Sequence, residues 1–342
     1  MVLRERVHFD EGFAPFPVSF SLSLQARESR RLQAGAICAP QQYRLRHSSP
    51  SCFRCCPPNI LVVMQQDEDV IRQWRHAAPY WEKHRETIRG MFAPITQALI
   101  EDAQIATGHS VLDVATGPGE PALSIAEVVG PNGSVVGLDP VPEMISAARR
   151  AAHRSQLRNA RFEVAFADCL PLPTDNFDAV VSRFGVMFFP SPVDGVREML
   201  RVMKPKGRIA VAVWHFPERN PFHYIVSRVV ERYVRAEPAP PDSPDAFRFA
   251  APGKLLNILN EAGAAASSER LLQFRIEAPV SAKDFWALRS EMSDKLQAKL
   301  ATLSHDQLAA VRHEVLHGLQ PYSTDRGVNF PGEVLIVSGR KP

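Results

Sequence analysis

The sequence predicts an α/β fold: a doubly wound, mostly parallel sheet with an antiparallel strand at its C-terminal end and helical cap insertions. Short apolar runs alternate with helical stretches between residues 106 and 215, and the first of these runs leads straight into a glycine-rich turn. After Trp214 the rhythm loosens into mainly helical sequence. Strands that alternate with helices at this spacing pair in parallel, because each crossover helix packs back onto the sheet.

Residues 1–63 lack sustained periodicity and are rich in Ser, Pro and Arg, which predicts a disordered leader. Met64 offers a second start, with the leader as an upstream extension. From there Val70, Trp74, Ala77, Ala78 and Trp81 recur at helical spacing behind the acidic Asp67-Glu68-Asp69, and a second helix follows over Phe92 to Ala103. Strands are expected at Ser110 to Val114, Ser134 to Asp139, Arg161 to Ala167, Phe177 to Ser182 and Arg208 to Trp214. The intervening helices run from Pro121 to Val129, Pro142 to Arg154 and Pro192 to Met203, with proline at first-turn positions where its missing N–H costs nothing.

Beyond residue 216 the pattern predicts helices over Phe222 to Val234, Pro252 to Ala262 and much of Ser281 to Leu319, a proline-rich lid at Glu237 to Pro244, and strand candidates at Leu271 to Ile276 and Glu333 to Ser338. The reading divides the chain into the leader (1–63) and one domain (64–342). Within the domain, 64–105 forms N-terminal helices, 106–215 a ligand-binding core, and 216–250 with 279–325 substrate cap segments.

Of a formal net charge of +3, the leader carries eight arginines against four acids, so the body sums to about −1 and gives no electrostatic footprint for nucleic acid. No apolar run approaches the roughly 18 residues of a membrane span. Four of five cysteines, Cys38, Cys52, Cys55 and Cys56, lie in the leader, without a second ligand pair at zinc-finger spacing. No metal is expected, and the scarcity of cysteine elsewhere favours a reducing, cytoplasmic setting.

The chemistry concentrates at Val111-Leu112-Asp113-Val114-Ala115-Thr116-Gly117-Pro118-Gly119-Glu120. Gly117, Gly119 and Ala122 satisfy a dinucleotide-type turn between a strand and a helix, which makes the core Rossmann-like and brings backbone N–H groups near a ligand. Asp139 ends the second strand some twenty residues on, placed to accept from both hydroxyls of a ribose. These features serve NAD and S-adenosylmethionine equally. Three further features separate the cofactors: two acids, and the tight turn Lys204-Pro205-Lys206-Gly207 that feeds the fifth strand. Asp113, inside the first strand, suits the ammonium of a methionyl group, and Asp168 after the third strand can accept from an adenine amine, with Leu170 against the ring.

Together these stretches resemble class I S-adenosylmethionine-dependent methyltransferases, within the group that includes ubiquinone and menaquinone C-methyltransferases. Leu112 to Leu123 is similar to the family's first motif, Gly137-Leu138-Asp139 with Met144 to its second, Ala167-Asp168-Cys169-Leu170-Pro171 to its third, Phe177 to Ser182 to its fourth strand and Leu200 to Gly207 to its last motif. Pro118 and Glu120 depart from the residues common in that turn. The resemblance implies that S-adenosylmethionine is held by Asp113, Thr116, Gly117, Gly119, Asp139, Met144, Asp168, Cys169, Leu170 and Phe184.

Tyr80, Trp81 and Phe184 are candidates for cation–π contact with a sulfonium, or are plain core. His215, directly after the fifth strand, is the candidate base, with His76 and His223 behind it. Met187, Phe188, Phe189, Phe216, Phe222 and Tyr224 point to a partly hydrophobic small-molecule acceptor, and the Asn/Asp-Pro-Pro-aromatic element of base-methylating enzymes is missing after the fourth strand. An NAD-dependent oxidoreductase leaves Asp113 and Asp168 without a task. A catalytically silent cofactor-binding protein keeps every residue named.

Overall fold

The computed structural model describes residues 58–235 and 240–342, so the leader's disorder, its cysteine cluster and part of the proline-rich lid lie outside the described residues. Five parallel strands form the centre: β1 (Ser110–Val114), β2 (Ser134–Asp139), β3 (Ala160–Val164), β4 (Phe177–Arg183) and β5 (Met203–Trp214). β6 (Ala265–Ala278), β7 (Ser323–Thr324) and β8 (Gly327–Arg340) add antiparallel strands, giving the order β3-β2-β1-β4-β5-β8-β6 with β7 paired to β8.

The antiparallel C-terminal end expected from the sequence is present and is larger than one strand: β8 inserts between β5 and β6 and pairs with β6 from Ala265 opposite Arg340 to Ala278 opposite Val328. β6 alternates polar and apolar residues and is half exposed along most of its length, so only its Leu271 to Ile276 segment stands out in sequence.

Helices α1 (Pro58–Lys83), α2 (Arg85–Met91) and α3 (Ala93–Asp102) precede the sheet. α1 begins at Pro58, so the run Ile60 to Val63, which the sequence reading left in the leader, is helical backbone. α4 (Ala122–Val129) and α5 (Pro142–Arg154) pack on the β1–β3 half, whereas α3 and α6 (Pro192–Val202) pack on β4 and β5. Val111, Leu112, Val180, Val181, Val211 and Val213 are fully buried between these layers. Such continuous apolar strands are what a parallel sheet covered on both faces requires.

The remaining helices are α7 (Pro221–Tyr233), α8 (Lys254–Glu261), α9 (Ala282–Glu291), α10 (Asp294–Ala301) and α11 (His305–Leu319). α1 packs against α5 of the core and against α9 and α10. The Trp81 indole N–H donates to the Met292 carbonyl at 3.3 Å, and Lys83 and His84 both meet Glu291, at 2.8 and 2.7 Å. The N-terminal helix and the last helical segment thus close over the same end of the sheet. No helix among the described residues is long and apolar enough to cross a membrane.

Candidate active site

In the central parallel sheet the strands end together, and a cavity of about 330 Å³ opens where they do. Its floor is made by the residues that follow each strand: Ala115 to Pro118 after β1, Pro140 and Val141 after β2, Ala165 to Asp168 after β3, and Phe184 and Gly185 after β4. Ligands of open α/β sheets bind at this edge, because there the connections diverge and leave a crevice.

The glycine turn is held from below. Asp113 is fully buried, and its Oδ2 accepts from the Ala122 N–H at 3.2 Å, tying the strand to the start of α4. Burial raises its carboxyl to about 7, against the lowering effect of neighbouring Thr116, Arg183 and the Ala122 amide. Asp113 does not line the cavity; it sits beneath the turn. Gly119 also lies behind the lining, at φ +110°, where a Cβ would meet Leu123 Cδ1 at 2.9 Å and the Ala148 backbone at 3.4 Å. This position needs glycine for its backbone conformation and for the close approach of Leu123 on α4.

Asp139 does line the cavity. Its Oδ1 accepts from the Val141 N–H at 2.9 Å and its Oδ2 from the Gly117 N–H at 3.0 Å, so the carboxylate clamps the ends of β1 and β2 while each oxygen keeps lone-pair capacity for a ligand. Desolvation outweighs these two bonds and raises the group to about 6. Gly117, Thr116, Met144, Asp168 and Phe184 line the same space, whereas Cys169 and Leu170 do not. Leu170 is buried next to them, with its N–H on Glu198. Asp168 is raised by burial and by the nearby charges of Asp194 and Glu198.

Several features of the site depend on contacts that carry no local signal in the sequence. Ala115 and Phe184, at the ends of β1 and β4, hold left-handed backbone at φ 60° and 64° without being glycine. Phe184 stacks on Trp214 at 4.3 Å and 8°. Arg183 is buried, donating to Thr96 Oγ1 at 2.7 Å and to the Glu120 carbonyl at 3.3 Å beneath the Phe92 ring. Trp74, Phe188, Phe222 and Met292 complete an apolar wall, and Arg85 and Arg289 bring guanidinium groups to it.

Of the aromatic candidates, Trp81 lines the cavity and Tyr80 does not; of the histidines, His223 lines it and His76 does not. His215 is also away from the lining. Its Nδ1 meets Glu333 Oε2 at 2.8 Å, because the antiparallel insertion of β8 brings Glu333 beside the end of β5. The position after β5 thus turned its side chain to a strand that the sequence reading had not paired there.

A donor-rich ligand fits this floor. Thr116 Oγ1 is buried in the lining with no hydrogen-bond partner, an oxygen that a ligand's donors, or water between them, can satisfy, whereas Asp113 Oδ1 lies beneath the turn and Glu120 Oε1 faces Arg89 Nε at 3.5 Å. Among the described residues no three His, Cys, Asp or Glu converge to hold a metal ion.

Comparison with known proteins agrees with that geometry. Residues 105–234 match the family model described as a methyltransferase domain. The ubiquinone/menaquinone biosynthesis C-methyltransferase of Pseudomonas fluorescens is 32% identical over 171 residues, 49% of this chain and 65% of that protein, and its counterpart in Geobacter sulfurreducens is 36% identical over 121 residues, 35% and 47% of the two chains. The chain therefore spans about half to two thirds of the length of these relatives. Among solved structures, the YcgJ protein of Bacillus subtilis aligns with a TM-score of 0.48 at 19% identity, over 73% of this chain and 98% of that one. Residues 105–234 thus carry a class I methyltransferase domain, of the family whose cofactor is S-adenosylmethionine.

Proposed function

We propose that the chain transfers a methyl group from S-adenosylmethionine to a small, largely apolar molecule seated beneath the helical cap. The observation that carries this reading is the make-up of one cavity: the polar strip at Thr116, Gly117 and Asp139 and the aromatic wall of Trp74, Phe188, Trp214 and Phe222 line the same space. When bound, S-adenosylmethionine supplies a methyl group that is already electrophilic.

The chain's own task is placement. Asp139 holds the ribose diol, Met144 and Asp168 border the adenine, and the turn at Thr116 and Gly117, fixed from beneath by Asp113, receives the aminoacyl end. Phe184, braced on Trp214, presents a ring face that favours a sulfonium. α1, α7, α9 and α10 form the cap that excludes water and aligns the acceptor, and such alignment is worth about 7–11 kcal/mol in well-oriented reactions. We assign no general base, and His215 stands outside the cavity. The relatives named as C-methyltransferases favour carbon as the accepting atom.

Incubating the full chain with S-adenosylmethionine labelled at the methyl group, together with a solvent extract of its host cells, is expected to move label into a small organic product. Cofactor binding with no label transferred to any fraction identifies a catalytically silent binding protein and refutes the transferase reading.

A further inference from the structure

We propose that the methyl acceptor carries an oxyanion, a carboxylate or an equivalent ionised oxygen group, and that Arg289 and His223 receive it. The proposal rests on the methyltransferase reading above and adds the substrate class. Both residues line the cavity beside Trp214 and Phe222. Trp214 ends β5, three strands from Asp139 at the end of β2, which is roughly 14 Å at about 4.8 Å per strand. The pair therefore sits at the opposite end of the strand-edge crevice from the ribose site.

Hydrogen-bond bookkeeping sets what this end accepts. Arg289 Nη2 lies 3.2 Å from His223 Nδ1. A guanidinium only donates, so Nδ1 accepts and the imidazole proton resides on Nε2. Burial and the Arg289 charge hold the ring neutral, well below the ordinary histidine value. His223 Nε2–H and Arg289 Nε–H are then two donors on neighbouring side chains, buried and without a partner.

Burial pulls the guanidinium down to about 10, with no carboxylate opposing the shift; the group lies instead over the Phe222 ring at 4.7 Å. Of the acids in the lining, Asp245 accepts from the Phe247 N–H at 2.9 Å and Asp294 meets His76 at 3.4 Å, while Lys295 adds a further cation. Buried donors without partners are rare in folded proteins. Two of them beside a guanidinium with no counter-charge fit a ligand group that accepts, donates nothing and is negative. The aromatic wall takes the rest of the molecule.

The test uses the full chain loaded with S-adenosylhomocysteine and calorimetric titration with 2-naphthoate and with its neutral methyl ester. The acid is expected to bind at least tenfold more tightly than the ester. Arg289→Met should bring the two within twofold, Arg289→Lys should keep part of the preference, and S-adenosylhomocysteine affinity should stay within twofold in both variants. Equal affinity for acid and ester, binding of neither, or a preference that survives in folded Arg289→Met overturns the proposal. A tenfold loss of S-adenosylhomocysteine affinity in Arg289→Met also overturns it, because the guanidinium then serves the cofactor's carboxylate.

Should Arg289→Met lose its melting transition, His223→Phe decides. A preference reduced at least threefold supports the site, and an unchanged one refutes it. If the wild-type chain fails to bind S-adenosylhomocysteine at all, the methyltransferase reading falls instead, and the acid-to-ester ratio measured without that ligand still decides the anion site.

Discussion

Asp139→Ala is expected to weaken S-adenosylhomocysteine binding at least tenfold, about 1.4 kcal/mol, because a ribose diol then loses two hydrogen bonds to an ionised acceptor. The same residue sets a pH dependence. Burial raises its carboxyl to about 6 from an ordinary 3.8, so the unliganded fold holds this proton more tightly than the unfolded chain does. Its contribution to the stability of the free protein therefore increases as pH falls from about 6 towards 4, the reverse of an ion-paired aspartate. Ligand binding runs the other way, since only the ionised carboxylate accepts from both hydroxyls. Between pH 7 and pH 5 the affinity should fall about tenfold, as one proton with a pKa near 6 requires. Asp139→Asn should lose that dependence while preserving the shape of the site, which separates Asp139 from Asp113, whose carboxyl titrates nearby at about 7. Titration calorimetry at both pH values reads the difference, and a wild-type affinity that does not change with pH rules out the ribose assignment.

Arg183→Met should cost about 3–5 kcal/mol of folding free energy at pH 8, the range for breaking a buried charge pair, and visibly less at pH 6. Arg183 is buried among Thr96, Phe92 and the Glu120 carbonyl, and the charges that favour its ionised form are Glu120 and Asp113. Its own charge in turn lowers Asp113, which burial has already raised to about 7. Without the guanidinium, Asp113 moves higher still. At pH 6 the carboxyl is mostly protonated in both proteins, and the substitution removes hydrogen bonds and packing. At pH 8 the variant must either bury an uncompensated carboxylate or retain a proton against the solvent. Urea unfolding at the two pH values measures both losses. Equal losses mean that Arg183 acts through packing alone.

The sheet core was legible because proline and glycine punctuate it. β1, β2 and α5 fall at the expected residues, with Pro142 opening α5 and the Gly117 turn closing β1. β3 ends at Val164 rather than Ala167, since Ala165 and the residues after it turn into the cavity floor. The C-terminal strands were legible only in part. β6 is an edge strand with polar residues on one face, and its partnership with β8 spans residues far apart in sequence.

At the site, the local motif singled out Asp139, Gly117 and Met144, which line the cavity, and placed Asp113 inside β1 without showing that its carboxyl faces the start of α4 rather than the cavity. Residues whose role depends on a distant partner left no local signal. Arg183 finds Thr96, His223 finds Arg289, and His215 is taken by Glu333, all contacts between segments separated by many tens of residues. The aromatic stack of Phe184 on Trp214 joins the ends of β4 and β5, and it arises only once those strands pair.

Calorimetric titration of the full chain with S-adenosylmethionine and, separately, with NADH tests the cofactor choice on which all else depends. Saturable binding of S-adenosylmethionine at a single site, with no heat from NADH, is the expected outcome. Binding of NADH without binding of S-adenosylmethionine would overturn the reading of the Asp139 and Gly117 crevice as a methyl-donor site.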